Sequence, residues 1–441
     1  MMQTKKQISR IGYTVVVFLL FAACIPNCLL AQGEKITMPI NLETVLKLAG
    51  ANNLKVAEIK AKHELAKAKA REVNEWIYPS VNPGFLLMNL KGSEQNAVGD
   101  FLETTKNSFW AGASATVNWS VGKAAYNYLS AKQDIATVEF HVKAERNQQI
   151  LNAIQAYFEL VASQGELSSL VEMSKKSDEI VHQIEFHVTN GIRYKSDLLL
   201  AKAKNNHIKL SISGAREKVA INSNELLNIL NVQEDVLLVN IDSVLLPISL
   251  NEKSPESIAI IFENRPEIQA HESAIKSWTL LRKTTTSGLL FPDLSLGLNN
   301  GLFGPYLNPL NNRFTYYAGL QWNLPLGSIF SGGERKQYDV RIELQHILMN
   351  QTQNIVRKEL QNARAMVVNS SSQMALAQES VGYAKEALSQ SIQRQNFGTA
   401  LPLEVFQAQE QLLQSKIDQI KAITNYNKGQ YLLFVAKGNN L

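Results

Sequence analysis

Residues 109–122 read FWAGASATVNWSVG, and this stretch decides the fold because its polarity alternates with a period of two. Its odd positions are Phe, Ala, Ala, Ala, Val, Trp and Val, whereas its even positions from 110 to 120 are Trp, Gly, Ser, Thr, Asn and Ser. Successive side chains of a β-strand lie on opposite faces, so the pattern predicts a strand with one apolar and one mostly polar face. Such a strand belongs to a sheet with water on one side and an apolar environment on the other.

Three more segments are predicted to be strands of this kind. They are 80–90, 291–300 and 314–326, and the first is the least regular. Polar, glycine-containing loops at 91–108 and 301–313 are predicted to join each pair of strands. A tilted strand of about ten residues spans the hydrocarbon core of a bilayer, so each segment is long enough to cross a membrane.

Very long helices are predicted after each strand pair. Residues 123–189 and 334–397 contain no proline, and Gly165 and Gly382 are their only glycines. At 1.5 Å per residue each helix is about 100 Å long, which is too long for the core of a globular domain. The helices must therefore pack on one another. A shorter helix is predicted over 42–76, where apolar residues recur at helical spacing.

The second long helix carries an unbroken heptad seam. Its apolar and small residues recur at alternating spacings of four and three, which predicts a left-handed coiled-coil interface. Small side chains at one heptad position allow two backbones to approach closely, and large ones at the other fill the gaps. The seam consists of Val356, Leu360, Ala363, Val367, Ser370, Met374, Ala377, Val381, Ala384 and Leu388.

The order of these elements occurs twice along the chain, about 210 residues apart. Segment 32–232 is interpreted as the first repeat, 255–437 as the second and 233–254 as a connector. Four pairs of segments carry the correspondence: ANNLKV (51–56) with ENRPEI (263–268), YPS (78–80) with FPD (291–293), VNWSVG (117–122) with WNLPLG (322–327), and Gly191-x5-Asp197 with Gly398-x5-Glu404.

Four strands cannot close into a barrel by themselves. An open sheet edge in lipid leaves backbone N–H and C=O groups unpaired, which costs several kcal/mol for each group. Partner chains must therefore supply the missing strands, and three chains would give an even count of twelve with cyclic symmetry. Trp119 and Trp322 lie near strand ends, where interfacial aromatic residues are expected. The polar face would line a water-filled pore with Gly112, Ser114, Thr116, Gln321 and Asn323.

The N-terminal residues 1–31 are predicted to be an export signal. Three basic residues precede an apolar run from Ile11 to Ala23, which is too short to span a bilayer. Cleavage after Ala31 would leave a mature chain without cysteine. The alternative is cleavage before Cys24, which would then be the lipid-modified first residue of a lipoprotein. Both alternatives indicate an exported protein without a disulfide framework.

Charge and motif content argue against several function classes. Without residues 1–31 the chain has 41 basic and 39 acidic residues, so no basic field indicates nucleic-acid binding. The seven histidines are scattered and complete no zinc motif, and the sequence has no P-loop, dinucleotide fingerprint or nucleophile elbow. After residue 31 no stretch approaches eighteen consecutive apolar residues, so no transmembrane helix is predicted. We therefore expect neither catalysis nor a bound metal or cofactor.

From about residue 40 onward the chain resembles the TolC family of outer-membrane efflux proteins. The resemblance rests on the duplicated helix–strand–strand–helix plan, on ENRPEI (263–268) and LPLG (324–327), and on the two Gly-x5-(Asp/Glu) turns. It implies an α+β membrane protein of a Gram-negative bacterium. A homotrimer would form a twelve-stranded barrel in outer-membrane lipid, continued by a long periplasmic barrel of coiled-coil helices. It also implies docking on a periplasmic adaptor protein and an inner-membrane transporter, with drugs, metal ions or other solutes as cargo.

The resemblance places the periplasmic end of the duct at the two helical turns. Gly191 and Gly398 would lie in these turns, where glycine's backbone freedom is needed. The family's pore-constricting carboxylate would fall on Glu404, whereas its second acidic position is occupied by Gln407. The simpler interpretation, which the sequence favours, is that Asp197 and Glu404 are first-turn acids stabilised by the helix dipole.

Other functions fit parts of the sequence. A periplasmic coiled-coil scaffold explains the long helices but not the alternating strands. A type I protein-secretion exit duct would share the architecture, and the sequence does not name the cargo. An outer-membrane enzyme or single-chain porin would need at least eight strands, whereas four are predicted.

Overall fold

The computed structural model describes residues 36–241, 245–250, 257–306 and 309–441. The predicted export signal 1–31 and the possible lipid-attachment site Cys24 lie outside these ranges. Within them, no helix has both the length and the apolar composition needed to cross a bilayer.

The described chain forms two compact units. The smaller consists of residues 36–39 and Glu234–Val239, and the larger of Ile40–Gln233 and Asn240–Leu441. Strands β1 (Ile36–Ile40) and β4 (Val236–Asn240) pair with each other in a two-stranded sheet. This sheet was not expected, because β4 lies in the segment interpreted as a connector.

The larger unit contains a four-stranded antiparallel sheet in the order β2–β3–β5–β6. Both β2 and β6 are edge strands, so each has one side without a partner strand in the described chain. The strands are β2 (Ser80–Gln95), β3 (Phe101–Ser120), β5 (Asp293–Gly304) and β6 (Asn311–Gln321).

The register places the predicted apolar residues of β3, β5 and β6 on one face, together with Val81 of β2. Directly opposed residues in neighbouring strands share a face. Ala115 pairs with Val81 of β2 and with Leu298 of β5. Leu298 in turn pairs with Tyr316 of β6, so the alternation predicted for 109–122 continues across the sheet. The opposite face carries a polar row of Asn82, Ser114, Asn299 and Thr315.

The first predicted loop, 91–108, is mostly strand, so its predicted extent is wrong. Only 96–100 lie between β2 and β3. The Asn96 Oδ1 atom accepts hydrogen bonds from the backbone N–H groups of Val98 at 3.0 Å and Asp100 at 2.9 Å, which stabilises a tight turn. The polar composition of the segment reflects exposed strand surface and not a long loop.

The second strand pair also ends at different residues from those predicted. Strands β5 and β6 include parts of 301–313, which was predicted to be a loop. Strand β6 ends at Gln321 and not at 326, so Asn323 lies beyond the strand from which it was predicted to line the pore. Pro325 has no backbone N–H to continue the ladder, and a short helix follows at Leu326–Ser331.

The helices agree closely with the prediction except near the start of the described chain. The predicted helix 42–76 is two helices, because Asn53 interrupts it and its side chain accepts a hydrogen bond from the Lys55 N–H at 2.9 Å, which caps the second helix. The helices are α1 (Leu42–Asn52), α2 (Leu54–Glu72), α3 (Val121–Thr189), α4 (Lys195–Leu230), α5 (Ile258–Asn264), α6 (Pro266–Thr284), α7 (Leu326–Ser331), α8 (Gly333–Asn396) and α9 (Pro402–Ala436).

Each of the two longest helices runs beside a pair of shorter ones. Helix α3 has 69 residues and packs against α2, with 19, and α4, with 36. Helix α8 has 64 residues and packs against α6, with 19, and α9, with 35. Because α3 also packs against α6 and α9, the helices form a layer. In the part of the layer that contains α4 and α9, the order of the helices is α4–α3–α9–α8. In the part that contains α2 and α6, the order is α2–α3–α6–α8.

Charged pairs between neighbouring helices show that they run antiparallel. Along α3 towards its C-terminus, the partner residues on α4 fall towards its N-terminus. The pairs are Glu166–Lys218 at 2.8 Å, Asp178–Lys209 at 3.0 Å and Glu185–Lys202 at 2.9 Å. Lys428 and Lys416 of α9 pair in the same antiparallel sense with Glu159 and Glu172 of α3.

The predicted heptad seam of α8 is confirmed. It faces α9, which lies alongside α8. The large side chain of Leu360 and the small one of Ala363 are both buried. Val367 and Val381 are partly buried against the same apolar clusters. The other buried members are Val356, Ser370, Ala377, Ala384 and Leu388.

Asn53 pins the junction at which α2 meets the end of α4. Its Nδ2 atom donates to the Ile229 carbonyl near the end of α4 at 2.9 Å and to Gln149 Oε1 of α3 at 3.3 Å. One side chain therefore caps α2 and ties it to both neighbouring helices.

Arg265 makes the corresponding connection in the second half, although it is chemically different. Its Nη1 atom donates to the Val435 carbonyl near the end of α9 at 3.3 Å, and its Nη2 atom contacts Glu359 Oε2 of α8 at 2.9 Å. A further ion pair joins Arg265 Nε to Glu267 Oε2 at 3.0 Å. The side chain is only 6% exposed, so this guanidinium replaces hydration by protein contacts.

Loss of this guanidinium is expected to destabilise the helical layer. Arg265→Ala leaves the Val435 carbonyl and two carboxylates without their partner, so we expect a loss of about 2 kcal/mol in unfolding free energy. Arg265→Lys keeps the charge but not the several N–H donors of the guanidinium, so its loss in unfolding free energy should be about half as large. Thermal unfolding followed by circular dichroism measures both. Arg364→Ala, an exposed position on α8, is the control, and equal midpoints for Arg364→Ala and Arg265→Ala would contradict this role.

The bridge at Glu172 predicts a specific acid dependence of stability. Hydrogen bonds from Lys416 and Lys176 lower the pKa of Glu172 from 4.5 to about 2. A carboxylate with a lowered folded-state pKa contributes stability above its unfolded pKa and loses it as the pH falls. The side chain is about half exposed, so the contribution is at most about 1 kcal/mol.

We therefore expect the difference in thermal midpoint between wild type and Glu172→Gln to be constant above about pH 5 and to vanish towards pH 2. Glu217→Gln, an exposed position on α4, controls for the loss of one negative charge. A difference that stayed constant down to pH 2 would rule out the bridge as its source.

Candidate functional site

The turns that end α3 and α8 have the same backbone conformation. Gly191 has φ of 72° and Gly398 has φ of 73°, both in the left-handed region. In each turn the N–H groups of the glycine and of the next residue donate back to carbonyls in the last turn of the helix. This arrangement ends a helix and reverses the chain into α4 or α9.

Arg193 joins the two turns. Its Nη2 atom donates to the carbonyl of Ala400 at 2.8 Å, across 207 residues of sequence. Ala400 itself is buried. The two helical hairpins therefore end together, at one end of the helical layer.

An apolar cluster from four helices supports the turns from within. Val405 and Phe406, in the first turns of α9, are buried with Ile184 of α3, Ala201 of α4 and Leu388 of α8. This packing orients the first turn of α9, so that Glu404, the residue before Val405, remains partly exposed.

Glu404 is paired within its own chain. Its Oε2 atom lies 3.2 Å from Arg394 Nη1, and its Oε1 atom accepts from the Leu401 N–H at 3.3 Å. The carboxylate thus caps the start of α9 and balances a cation in the last turn of α8. The sequence did not predict this ion pair between Glu404 and Arg394.

The other two predicted site residues differ from Glu404 in their contacts. Asp197 lies in the first turn of α4 and is half-buried. Its backbone N–H donates to the Tyr194 carbonyl at 3.0 Å. Gln407 is exposed one turn beyond Glu404. The structure therefore brings Gly191, Gly398, Asp197, Glu404 and Gln407 to one end of the helical layer.

Large apolar side chains are exposed around the turns. Phe397 is 83% exposed and Tyr194 is 81% exposed. Large apolar side chains that are exposed together usually mark a surface that contacts another molecule. The other exposed members are Ile192, Leu199, Leu200, Leu401 and Leu403.

Sequence reasoning missed the two arginines of this end. Arg394 could have been found, because a basic residue in the last turn of a predicted helix interacts favourably with the helix dipole and with nearby acids. Arg193 could not, because its partner is a backbone carbonyl in the other half of the chain. Among the described residues, no group of three or more His, Cys, Asp or Glu side chains is placed to hold a metal ion.

Substitution by alanine is expected to have opposite effects on stability at Gly398 and at Gly382. A Cβ atom at Gly398 would meet no atom within 4 Å, so Gly398→Ala costs only the strain of a positive φ, about 1 kcal/mol. Gly382 is helical and also has open space, so Gly382→Ala should stabilise by about 0.5–1 kcal/mol. Thermal midpoints measure both, and shifts of the same sign would contradict this account.

Similarity to known proteins is found at the level of the fold. No family model matches the sequence, and no curated protein matches it. Among solved structures, CusC superposes with a TM-score of 0.77 and 18% identity over 90% of this chain and 92% of that one. The CmeC outer membrane channel of Campylobacter jejuni gives 0.75 and 18% over 90% and 85%. The MtrE outer membrane channel of Neisseria gonorrhoeae gives 0.74 and 16% over 90% and 89%. The chain therefore has the fold of these outer-membrane channels, as the resemblance implied.

Proposed function

We propose that three copies of this chain close into a duct in the outer membrane of a Gram-negative bacterium. The duct is a passive exit for solutes that an inner-membrane transporter drives through a periplasmic adaptor protein. The chain itself catalyses no covalent reaction. Its relatives in fold include two outer membrane channels, which supports this assignment.

The observation that carries the proposal is an apolar sheet face without a covering. Val81, Leu298, Tyr316 and Leu320 belong to this face and are more than half exposed. A water-soluble chain would bury such a face, whereas a face towards lipid stays uncovered within the protein.

The two sheet edges support closure by further copies. Strands β2 and β6 each leave one row of backbone groups without a strand partner in the described chain. In lipid these groups must be paired, and cyclic symmetry pairs β2 of one copy with β6 of the next. The polar row through Ser114 and Asn299 then faces the lumen.

The helical layer supports the same closure. At its two edges, α2 and α4 on one side and α8 on the other carry exposed apolar side chains on faces that no helix of the described chain covers. Contact of α2 and α4 of one copy with α8 of the next would bury these side chains. The residues are Leu54 and Leu65 on α2, Leu210 and Ile221 on α4, and Leu344, Ile347, Ile355, Val368 and Leu376 on α8.

The end of the layer formed by the two turns is proposed to be the periplasmic end of the duct. Its exposed apolar residues suit the contact with an adaptor protein. Glu404 and Arg394 of three copies would place three ion pairs around this opening. Residues 1–31 are proposed to direct export, with lipid attachment at Cys24 as the alternative to cleavage after Ala31.

Two alternatives stay distinct from this proposal. A type I protein-secretion duct would use the same architecture with a different cargo. A periplasmic coiled-coil scaffold would leave the exposed apolar sheet face without a purpose. The first is separated by the identity of the partner transporter, and the second by the membrane test below.

The proposal predicts a trimer that needs detergent and conducts ions. The protein should resist extraction by buffer, have the mass of three chains in detergent and conduct in planar bilayers. Glu404→Gln removes a negative charge from each copy and leaves Arg394 unbalanced, so the cation-to-anion permeability ratio should fall by about twofold or more. Arg394→Gln should raise that ratio.

Glu410→Gln is the matched control, because Glu410 lies on the same helix and is also ion-paired, with Lys204 at 3.2 Å. It should leave the permeability ratio unchanged. Release of the protein by buffer alone, or a stable monomer in detergent, would contradict the proposed duct. Equal effects of Glu404→Gln and Glu410→Gln would remove Glu404 from the opening but leave the duct intact.

A further inference from the structure

A polar cavity lies at the junction where the strands end and the long helices begin. Its volume is about 360 Å³. It lies between the first turns of α3, the C-terminal end of α6 and the start of α8. Lys123, Thr286, Ser328, Glu334 and Arg335 contribute to its lining. None of the contacts described above involves this cavity.

The cavity contains charges that the described chain leaves unmatched. Lys123 and Arg335 make no ion pair within the described part of the chain, although several other basic residues of the helical layer do. Glu334, which lines the same cavity, is likewise without an ion pair among the described residues. Two cations beside one anion suit a ligand that carries both signs of charge.

An apolar strip borders the cavity. Ile329 belongs to both, since it lines the cavity and is exposed to solvent. Phe330, in the same short helix α7, is 84% exposed. Trp322, Leu324 and Leu326 continue the strip towards the end of β6 and are more than half exposed.

We propose that this junction binds one aminophospholipid, with its headgroup in the cavity and an acyl chain along the strip. Lys123 and Arg335 would bind the phosphate, and Glu334 would accept hydrogen bonds from the primary ammonium. Thr286 and Ser328 hydroxyls supply further polar contacts to the phosphate. The inference rests on the proposed membrane location, which would put the end of β6 at the level of the lipid headgroups.

The charge pattern makes the inference selective. Phosphatidylethanolamine satisfies all three charged side chains, whereas phosphatidylglycerol leaves Glu334 without a cation. Inorganic phosphate could occupy the cavity but would not use the apolar strip. These three probes therefore separate an aminophospholipid from an anionic lipid and from a free anion.

The test is native mass spectrometry of the full-length protein in detergent, titrated with each probe. Wild type should retain phosphatidylethanolamine at least tenfold more tightly than phosphatidylglycerol. Lys123→Gln with Arg335→Gln should weaken both lipids at least tenfold, and Glu334→Gln should remove the preference without weakening phosphatidylglycerol. The control is Lys358→Gln with Arg364→Gln, which removes the same charge from exposed positions elsewhere on α8. It should behave as wild type.

Four results would overturn the inference. The first three are equal lipid retention by wild type and the Lys123 and Arg335 variant, no preference between the two lipids in wild type, and competition by inorganic phosphate at the lipid's own concentration. The fourth is dissociation of the trimer by Phe330→Ser, which would assign the strip to the contact between copies. Trimer mass and conductance are recorded for every variant. Failure of lipid binding with both intact would leave the proposed duct standing.

Discussion

The unpaired backbone of two sheet edges is the constraint on which the rest of this structure depends. Strands β2 and β6 present N–H and C=O groups that have no strand partner in the described chain, and lipid offers none. A sheet of four strands is too narrow to curl onto itself, so the proposed closure must come from identical copies. The helical layer is in the same situation, because α4 and α8 at its edges also carry apolar side chains that no helix of the described chain covers. In the proposed assembly, sheet and helices would therefore be completed at the same two boundaries.

Periodicity made much of this fold predictable. The alternation at 109–122 and the heptad seam of α8 are physical signatures of an element and of the face it buries, so both the elements and their orientation followed from them. The ends of the elements were less accessible. The Asn96 turn and the stop at Pro325 depend on single side chains inside segments whose composition suggested otherwise. The break at Asn53 was missed because an amide that caps one helix also fits the polar face of a continuous one.

The candidate site was less predictable than the fold. The turn glycines follow from a local need for positive φ, which the spacing of Gly191 and Gly398 already suggested. The contacts of Arg193 depend on two hairpins ending together, which no local pattern contains. The Arg265 connection is similar: ENRPEI was recognisable as a recurring segment, but its bonds to Val435 and Glu359 exist only after folding. Asn53 makes the same kind of connection between helices with a neutral amide.

The side-by-side packing of the long helices has a consequence for how such a chain can change over evolutionary time. Helix α3 runs beside α2 and α4, and ion pairs such as Glu166–Lys218 and Glu185–Lys202 fix the register of α3 against α4. An insertion or deletion in one helix alone would slide every such pair beyond it out of reach. Length can change only by compensated steps in all four columns of the layer, in multiples of seven residues, or about 10 Å. The length of the helical layer can therefore change only in coarse steps, and all of its helices must change together.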